Sequence, residues 1–297
     1  MPTEPRGDEA AWTVLKTVQW TVAYFKRQGL ESPRVDAETL LAHTLGCQRI
    51  DLYLRHDQPL NSDELRDFKQ SIKRRSQHEP VAFITGEKEF WSLRFQVTPD
   101  VLIPRPDTEC LVEHALRHLP DADTVANTLL ELGTGSGAIS VVLAHERPRL
   151  RCLATDRSWL PVQTARNNAR HHRVEDRLTF MVGHWLEALT ADRHLFDIIV
   201  TNPPYIRTGD LERLPTDIYQ FEPIVALDGG QDGLGAIRQI VSQAHRRLKA
   251  GGVLFIEIAH DQCSAVADLV RQVDAYDHIV CHKDLGGHDR VVQIHKR

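Results

Sequence analysis

The sequence predicts an α/β fold with a mostly parallel, twisted, Rossmann-like sheet, preceded by a small all-helical domain. From about residue 107 onward, apolar segments of strand length alternate with helical periodicity, which is typical of a parallel sheet with helices on both faces. The first 80 residues carry only helical periodicity. We therefore predict a helical domain over 1–80, a β-hairpin connector over 81–105 and the α/β domain over 106–297.

The helical domain is predicted from an amphipathic pattern and two helix-start signals. Apolar residues recur at intervals of three and four over 12–25, and a serine–proline pair stands at 32–33, as at many helix starts. Asn61 followed by Glu64 has the spacing of a capping box. No constellation of catalytic side chains accompanies these helices, so we expect no catalytic role for this domain.

Aromatic residues in an alternating pattern over 82–98 predict the hairpin. The α/β domain should begin with a helix over 107–118, and each of its first two strands should lead into a helix. Further helices are expected near 234–249 and 261–273. The stretch 206–226 has few periodic apolar residues, so we expect a structureless loop that covers a site. The strands are predicted near 128–132, 151–155, 178–182, 196–201, 252–257, 278–282 and 290–295.

Composition excludes several classes of protein. Hydrophobic residues make up 41% and charged residues 26% of the 297 residues, the balance of a soluble globular protein. A net charge of −5 disfavours a general polyanion binder. No apolar run approaches the roughly 18 residues of a membrane span, and the first ten residues lack the apolar core of a secretory signal. Five widely spaced cysteines and no clustered histidine motif predict reduced thiols, no metal site and a cytoplasmic location.

After the first predicted strand of the sheet comes a glycine turn made of Gly133, Thr134, Gly135, Ser136 and Gly137. Such a turn lets a ligand approach the backbone, and the free amides of the next helix attract a polar group. Asp156 ends the following strand, where a carboxylate can accept hydrogen bonds from a ribose diol. Gly133, Gly135 and Ala138 also satisfy the dinucleotide pattern, so a nicotinamide cofactor is an alternative. The third glycine, and Glu131 before the turn, resemble the first motif of class I S-adenosylmethionine methyltransferases and favour the methyl donor.

The fourth predicted strand of the sheet ends in a segment that we call the clamp, made of Asn202, Pro203, Pro204 and Tyr205. Open α/β sheets bind ligands at this edge, and the prolines fix the backbone there. The Asn202 side-chain oxygen and the Pro203 carbonyl can accept both N–H bonds of a planar amide or of a base amino group. These bonds would orient the nitrogen lone pair toward a methyl donor without any strong base. Tyr205 adds an aromatic face for the planar group.

Further motifs along the chain point to one family. The whole sequence resembles the bacterial PrmC (HemK) family of release-factor glutamine methyltransferases, in which a class I methyltransferase domain follows a helical domain. The resemblance implies methyl transfer from S-adenosyl-L-methionine to the side-chain nitrogen of the glutamine in the Gly-Gly-Gln motif of peptide-chain release factors. It also implies that the helical domain and the hairpin dock this protein substrate. The matching segments are residues 80–86, 89–91, 102–109, 133–137, 202–205 and 221–223.

The resemblance implies roles for individual residues as well. Those at the family's cofactor-binding positions are residues 133–137, Asp156, Trp185 and Asn202. Those at its substrate-binding positions are the four residues of the clamp, of which Asn202, Pro203 and Tyr205 are the catalytic ones. His184 departs from the family, which commonly has an acid before the tryptophan, so the polar contact of that acid is not expected here. No nucleic acid, membrane or metal partner is implied.

Three alternatives stay open on the sequence alone. A sister enzyme that methylates a glutamine of a large-subunit ribosomal protein shares the clamp, although the run 104–109 favours release factors. An adenine amino-methyltransferase of DNA or RNA uses a similar motif, but it should carry a basic, aromatic-rich domain. A nicotinamide oxidoreductase would fit the glycine turn alone. Residues 229–231 spell Gly-Gly-Gln, which we interpret as a loop coincidence rather than as a self-methylation site.

Overall fold

The computed structural model describes residues 11–119, 127–187, 189 and 195–297. The chain forms two compact units, Met1–Gly86 and Glu87–Arg297. Gly86 ends the last helix of the first unit with a φ of +75°, a left-handed conformation that glycine adopts readily. No helix in the described ranges is both long and apolar enough to cross a membrane.

The first unit is helical, as the sequence predicts. Phe25, Leu40 and Phe68 are fully buried in its core, because each lies on the apolar side of a different helix. The predicted capping box is confirmed: the Asn61 side chain accepts a hydrogen bond from the Glu64 amide, and the Glu64 carboxylate accepts one from the Asn61 amide. The helices are α1 (Val14–Arg27), α2 (Pro33–Thr44), α3 (Asp51–Leu54), α4 (Ser62–Ser76) and α5 (Val81–Thr85).

Helix α5 shows that the prediction of hairpin structure from residue 82 is wrong at its start. The amides of Phe83 and Ile84 donate hydrogen bonds to the Pro80 carbonyl, as at the beginning of a helix. Three successive residues, 82–84, are buried, whereas a half-buried strand would bury every second one. Aromatic content was therefore a poor guide to this segment.

The hairpin itself is shorter and lies in the second unit. Its strands are β1 (Glu87–Phe90) and β2 (Leu93–Gln96), joined by Trp91 and Ser92 at φ of +53° and +60°. Two-residue hairpin turns need such left-handed conformations, which glycine or asparagine usually supplies. Glu109 supports the turn, since its carboxylate accepts a 2.8 Å hydrogen bond from the Trp91 amide.

A seven-stranded sheet forms the body of the second unit, from β3 (Thr128–Leu132), β4 (Arg151–Asp156), β5 (Leu178–Val182), β6 (Phe196–Thr201), β7 (Leu248–Glu257), β8 (Tyr276–Lys283) and β9 (Asp289–Lys296). Its order is β5-β4-β3-β6-β7-β9-β8; the first five strands are parallel, and β9 and β8 join antiparallel at one edge. The strand order reverses between β3 and β6, so a crevice opens beyond their carboxyl ends. The helices are α6 (Glu109–His118), α7 (Ala138–Glu146), α8 (Trp159–His171), α9 (Thr216–Phe221), α10 (Gly235–Ala244) and α11 (Cys263–Arg271).

The centre of the sheet is buried on both faces. Leu129 and Val200 belong to an apolar cluster on one face, and Leu130 and Ile199 belong to a second cluster on the other, because successive side chains of a strand point to opposite sides. Such double burial explains the nearly continuous apolar runs from which these strands were predicted.

The stretch 206–226 is not the structureless loop that the sequence predicts. Helix α9 lies there between two short 3-10 helices, Thr208–Arg213 and Ile224–Ala226. Elements of three to six residues are too short to show a period in the sequence. Pro215 precedes α9, and its carbonyl accepts the first hydrogen bonds of that helix.

Candidate active site

A cleft of about 650 Å³ opens at the carboxyl edge of the sheet. A second cavity of about 280 Å³ shares part of its wall and is lined by Pro203 and Tyr205. Asn202 lines both, so its side chain lies at the boundary between a larger and a smaller compartment. The other predicted cofactor-binding and clamp residues that line the larger cleft are Gly133, Thr134, Gly135, Ser136, Asp156, Trp185 and Pro204.

The three glycines of the turn have different surroundings. All have positive φ, with +73° at Gly133, +54° at Gly135 and +80° at Gly137, so an L side chain would be strained at each. A Cβ at Gly135 would meet no atom within 4 Å, which leaves the backbone open to a ligand. A Cβ at Gly137 would lie 2.9 Å from the Ala165 Cβ. This glycine therefore serves the packing of α7 on α8 and does not line the cleft.

Asp156 is tied to the glycine turn. Its carboxylate accepts hydrogen bonds of 3.0 Å from the Gly135 amide and 3.1 Å from the Ser158 amide. Burial raises the pKa of Asp156, and these backbone hydrogen bonds act against the rise. Each carboxylate oxygen has more than one acceptor position, so the group can still receive hydroxyl donors from a ligand in the cleft.

Glu131 lies beneath the turn and is almost fully buried. Its Oε2 accepts a 2.6 Å hydrogen bond from the Thr134 hydroxyl, whereas Oε1 has no partner among the residues that the structure describes. Burial raises the pKa of Glu131 to about 7. Glu131 is not among the residues that line the cleft, so its carboxylate supports the turn through Thr134 and does not face a ligand. In the sequence, Glu131 distinguishes two kinds of glycine turn but gives no sign of this burial.

Trp185 forms the wall of the cleft beside the turn. A Cβ at Gly133 would lie 3.5 Å from its ring, so the absence of a side chain there makes room for the indole. Trp185 itself has a φ of +46°, which is uncommon for a large residue. His184 also lines the cleft, and its Nδ1 lies 3.3 Å from Glu187 Oε1.

The Asn202 side chain is anchored through its nitrogen. Nδ2 donates a 3.1 Å hydrogen bond to the hydroxyl of Thr108, a residue 94 positions earlier in the chain. Within the described ranges no donor bonds to Asn202 Oδ1 or to the Pro203 carbonyl. Both oxygens thus remain acceptors for a planar N–H donor.

Tyr205 is held at both ends. Its hydroxyl donates a 3.2 Å hydrogen bond to Glu257 Oε1, and its carbonyl accepts one of 3.0 Å from Gln262 Nε2. Burial raises the pKa of Tyr205 far above its ordinary value, so the hydroxyl stays protonated. Tyr205 can therefore form a wall of the smaller cavity but cannot act as a base.

The motifs at residues 102–109 and 221–223 are joined by hydrogen bonds at the cleft. The buried Glu222 carboxylate accepts a 3.1 Å hydrogen bond from the Ile103 amide and pairs with the Arg105 guanidinium. Arg105 lines both cavities. This tie fixes the end of the stretch 206–226 against the segment that precedes α6, and neither motif alone predicted it.

The tripeptide at 229–231 has a packing role. A Cβ at Gly229 would lie 2.8 Å from both the Pro204 carbonyl oxygen and the Tyr205 Cα, so only glycine fits behind the clamp. The Gly229 amide also donates a 2.8 Å hydrogen bond to the Ile206 carbonyl. Gln231 is exposed and does not line the cleft. These contacts favour the interpretation as a coincidence.

One group of potential metal ligands occurs in the described part of the chain, although none was predicted. The ligand atoms of Cys263, Cys281 and Asp289 lie within 4.8 Å of one another. The Lys283 ammonium lies 3.0 Å from the Asp289 carboxylate, so Lys283 already balances the negative charge of Asp289. Burial raises the pKa of Cys281, which favours the protonated thiol over the thiolate that binds metals.

Comparison with known proteins follows the division of the chain. Residues 16–86 match the PrmC N-terminal domain family, and residues 108–216 match the methyltransferase small domain family. The structure of a methyltransferase from Pyrococcus furiosus is similar in fold, with a TM-score of 0.51 and 18% identity over 70% of this chain and 91% of that one. The Rossmann-like sheet and these family matches together identify the chain as a methyltransferase.

Relatives that match nearly the whole chain show which family of methyltransferases it belongs to. A release factor glutamine methyltransferase from Rhodopirellula baltica is 37% identical over 98% of both chains. One from Geobacter sulfurreducens is 41% identical over 95% of this chain and 96% of the relative. The chain belongs to the release factor glutamine methyltransferase family.

Proposed function

We propose that this chain transfers a methyl group from S-adenosyl-L-methionine to the side-chain amide nitrogen of a glutamine in peptide-chain release factors, giving N5-methylglutamine. The target is the glutamine of their Gly-Gly-Gln motif. One observation carries the proposal: in a chain of this family, Asn202 Oδ1 and the Pro203 carbonyl remain acceptors where a larger and a smaller cavity meet.

The larger cleft suits S-adenosyl-L-methionine by the chemistry of its lining. Asp156 would accept hydrogen bonds from the ribose hydroxyls, Trp185 would lie against the adenine, and residues 133–136 would face the amino-acid end, whereas Gly137 packs against α8. One observation supports a polar ligand here: a Cβ at Gly135 would meet no atom within 4 Å, so the backbone of this residue is uncovered. When bound, this cofactor supplies a methyl group on a positively charged sulfur.

The clamp would hold the acceptor in the smaller cavity. Asn202 Oδ1 and the Pro203 carbonyl accept the two N–H bonds of the glutamine amide, which orients the lone pair and stabilises the charge that develops on nitrogen. A neutral asparagine suffices, because sulfur loses its positive charge as nitrogen gains it. The cationic N-methyl amide is a strong acid, so it releases a proton without a dedicated base. Pro203 and Tyr205 line the smaller cavity and would enclose the planar group, while Pro204 lines the larger cleft.

The helical unit is the proposed docking domain for the release factor. It matches the N-terminal domain of the family, and none of the residues that line the two cavities lies within 16–86. We expect this unit and the hairpin to contact the protein substrate outside its glutamine loop. A partner in translation implies a cytoplasmic location and requires neither a membrane nor direct contact with nucleic acid.

Mass spectrometry of a purified release factor tests the proposed function. After incubation with this chain and S-adenosyl-L-methionine, the peptide that contains Gly-Gly-Gln should gain one methyl group on its glutamine. A release factor with asparagine in place of that glutamine is the matched control and should gain none. An unmodified release factor beside a methylated ribosomal protein or methylated adenine would overturn the proposal in favour of the other acceptors.

A further inference from the structure

If the proposed function holds, the oxygen of the glutamine amide needs a partner as well as the nitrogen. The clamp takes the two N–H bonds of that amide, while the carbonyl oxygen loses its water when the side chain enters the smaller cavity. An acceptor that is buried without a donor is costly. The cavity should therefore offer a donor group in addition to the acceptors of the clamp.

Most polar side chains of the smaller cavity use their hydrogen atoms elsewhere. The residues with polar side chains that line it are Arg105, Asp107, Asn202 and Tyr205. Asn202 directs its nitrogen to the Thr108 hydroxyl, and the Tyr205 hydroxyl donates to Glu257. The Asp107 carboxylate can only accept. Arg105 is therefore the side chain of this lining that has donors to spare.

Arg105 lies where the acceptor would meet the methyl donor. The residues that border both cavities in the described part of the chain are Leu102, Arg105, Asn202 and Ala226. A guanidinium has five N–H groups, and the hydrogen bond that Arg105 makes within the described ranges goes to Glu222. Its side chain is 30% exposed, so further N–H groups are available to a ligand.

The partner of Arg105 fixes both its position and its charge. The Glu222 side chain is 1% exposed, and its carboxylate also accepts a 3.1 Å hydrogen bond from the Ile103 amide. Residues 223–227 follow directly and line the two cavities, so the guanidinium is held against their wall. A lone cation there would oppose the positive charge that develops on the acceptor nitrogen, and the Glu222 carboxylate offsets it.

We infer that Arg105 is a substrate-binding residue that donates a hydrogen bond to the side-chain carbonyl oxygen of the acceptor glutamine, and that Glu222 neutralises it. The site then recognises both ends of a carboxamide, because acceptors meet its nitrogen and a donor meets its oxygen. A flipped amide would place its N–H groups against the guanidinium. The bond to the oxygen is made before the reaction and gains nothing as the nitrogen becomes positive, so it contributes to binding rather than to rate.

The carboxylate of S-adenosyl-L-methionine is the other oxygen group that a guanidinium at this boundary could bind. Residues 133–136, which are proposed to face the amino-acid end of the cofactor, line the larger cleft and not the smaller cavity. Arg105 instead borders the smaller cavity as well, where the buried amide oxygen has no other side-chain donor to spare. This placement favours the glutamine.

Steady-state methylation of a release factor at saturating S-adenosyl-L-methionine tests the assignment. Arg105→Met alone would leave Glu222 buried and unpaired, so it is combined with Glu222→Gln, whose side-chain oxygen can still accept from the Ile103 amide. This double variant should raise the KM for the release factor about tenfold or more. Its kcat, and its cofactor affinity in calorimetry, should stay near those of the parent. Arg105→Lys keeps the charge but loses the planar fork of donors, so its KM should lie between the two.

A matched control removes an ion pair away from the cavities. Arg271 and Asp268 form a 2.6 Å pair on the exposed side of α11, and neither lines a cavity of the site. Arg271→Met combined with Asp268→Asn should therefore leave the KM for the release factor unchanged.

The charge of Arg105 gives a second readout, which a general loss of structure would not reproduce. Glu222→Gln alone leaves the guanidinium uncompensated beside a nitrogen that becomes positive, so kcat should fall about tenfold. Adding Arg105→Met removes that cation and should restore kcat, although a further side chain is lost.

Three results would overturn the inference. They are a parent-like KM in the double variant, a weaker cofactor affinity that assigns Arg105 to the cofactor, and a kcat that stays as low as in Glu222→Gln. A parent chain that methylates no release factor would instead overturn the proposed function.

Discussion

The two halves of the active site are built by different means. The glycine turn and Asp156 follow neighbouring strands, and their contacts are mainly to the backbone. The clamp is instead held by side chains from distant parts of the chain, namely Thr108, Glu257 and Gln262. The first half is therefore fixed by local chain geometry, and the second by long-range contacts between side chains.

This difference implies two kinds of failure. Damage to the turn or to Asp156 should weaken binding of the cofactor, because these groups surround the larger cleft. Damage to the clamp should instead slow methyl transfer, because its acceptors matter most as charge develops on the nitrogen. Substitutions in each half of the site test this difference.

The largest effect is expected for Asn202→Ala. The substitution removes one of two preorganised acceptors, and such a contact is typically worth about 10²–10³ in rate. The loss should appear in kcat, with a smaller change in cofactor affinity, when single-turnover methylation and calorimetry are compared. Asn202→Asp keeps an acceptor beside the sulfonium and should retain partial activity. A parent-like rate for Asn202→Ala would show that Asn202 is not the amide acceptor.

Loss of the helical unit should lower activity on the protein substrate without weakening cofactor binding. A chain that begins at Glu87 should bind S-adenosyl-L-methionine as the parent does, which also reports that the second unit is folded. It should lose most of its activity on the intact release factor, because the docking surface is gone. Equal turnover by the shortened and full chains would show that the helical unit does not dock the substrate.

Asp156→Ala should produce a moderate effect confined to binding. A charge-assisted pair of hydrogen bonds to the ribose is worth roughly 1.5–3 kcal/mol, so cofactor affinity should fall about ten- to a hundredfold. Calorimetry measures this loss, and Asp156→Asn, which retains one acceptor oxygen, should lose less. Unchanged affinity in the alanine variant would remove Asp156 from the cofactor site.

The smallest effect concerns stability and pH. Burial raises the pKa of Glu131 and of Glu257 to about 7 each, from 4.5, so the folded chain binds these protons more tightly than the unfolded chain. The free energy of unfolding should therefore fall as pH rises from about 4.5 to above 7. Glu257→Gln removes one titration and should flatten this dependence by on the order of 1 kcal/mol per pH unit.

Urea denaturation of the parent and Glu257→Gln between pH 5 and 8 measures the difference. His114 acts in the opposite direction, since burial lowers its pKa to about 4 and stability is lost as pH falls below about 6.5. That contribution is common to both chains and cancels between them. Parallel curves would show that Glu257 does not titrate in this window.

The same contrast between local chain geometry and long-range contacts explains which parts of the structure could be predicted from the sequence. Every predicted strand of the main sheet is present. The central strands are doubly buried apolar runs, whereas the edge strands β5 and β8 are largely half-buried or exposed. Helix α5 and the elements within 206–226 were missed, since three to six residues do not span enough turns to show a period. Short elements are recognised only by what they pack against.

The residues of the candidate site divide in the same way. The glycine turn, Asp156 and the clamp could be picked out from local motifs that meet at one sheet edge. Thr108 and Glu222 stood inside quoted motifs without a role, because their roles come from partners 94 and more than 100 positions away. Glu257 lay within a strand and gave no signal beyond a charge that interrupts an apolar run.

The glycine behind the clamp bears on how methylation sites are searched for. Gly229 cannot gain a side chain against Pro204 and Tyr205. Packing alone therefore requires glycine at the first position of a tripeptide that matches the proposed substrate motif. A proteome-wide text search for Gly-Gly-Gln would therefore count this enzyme as its own target. A three-letter string carries too little information to define a substrate, so discrimination must depend on how a loop presents its glutamine to the smaller cavity.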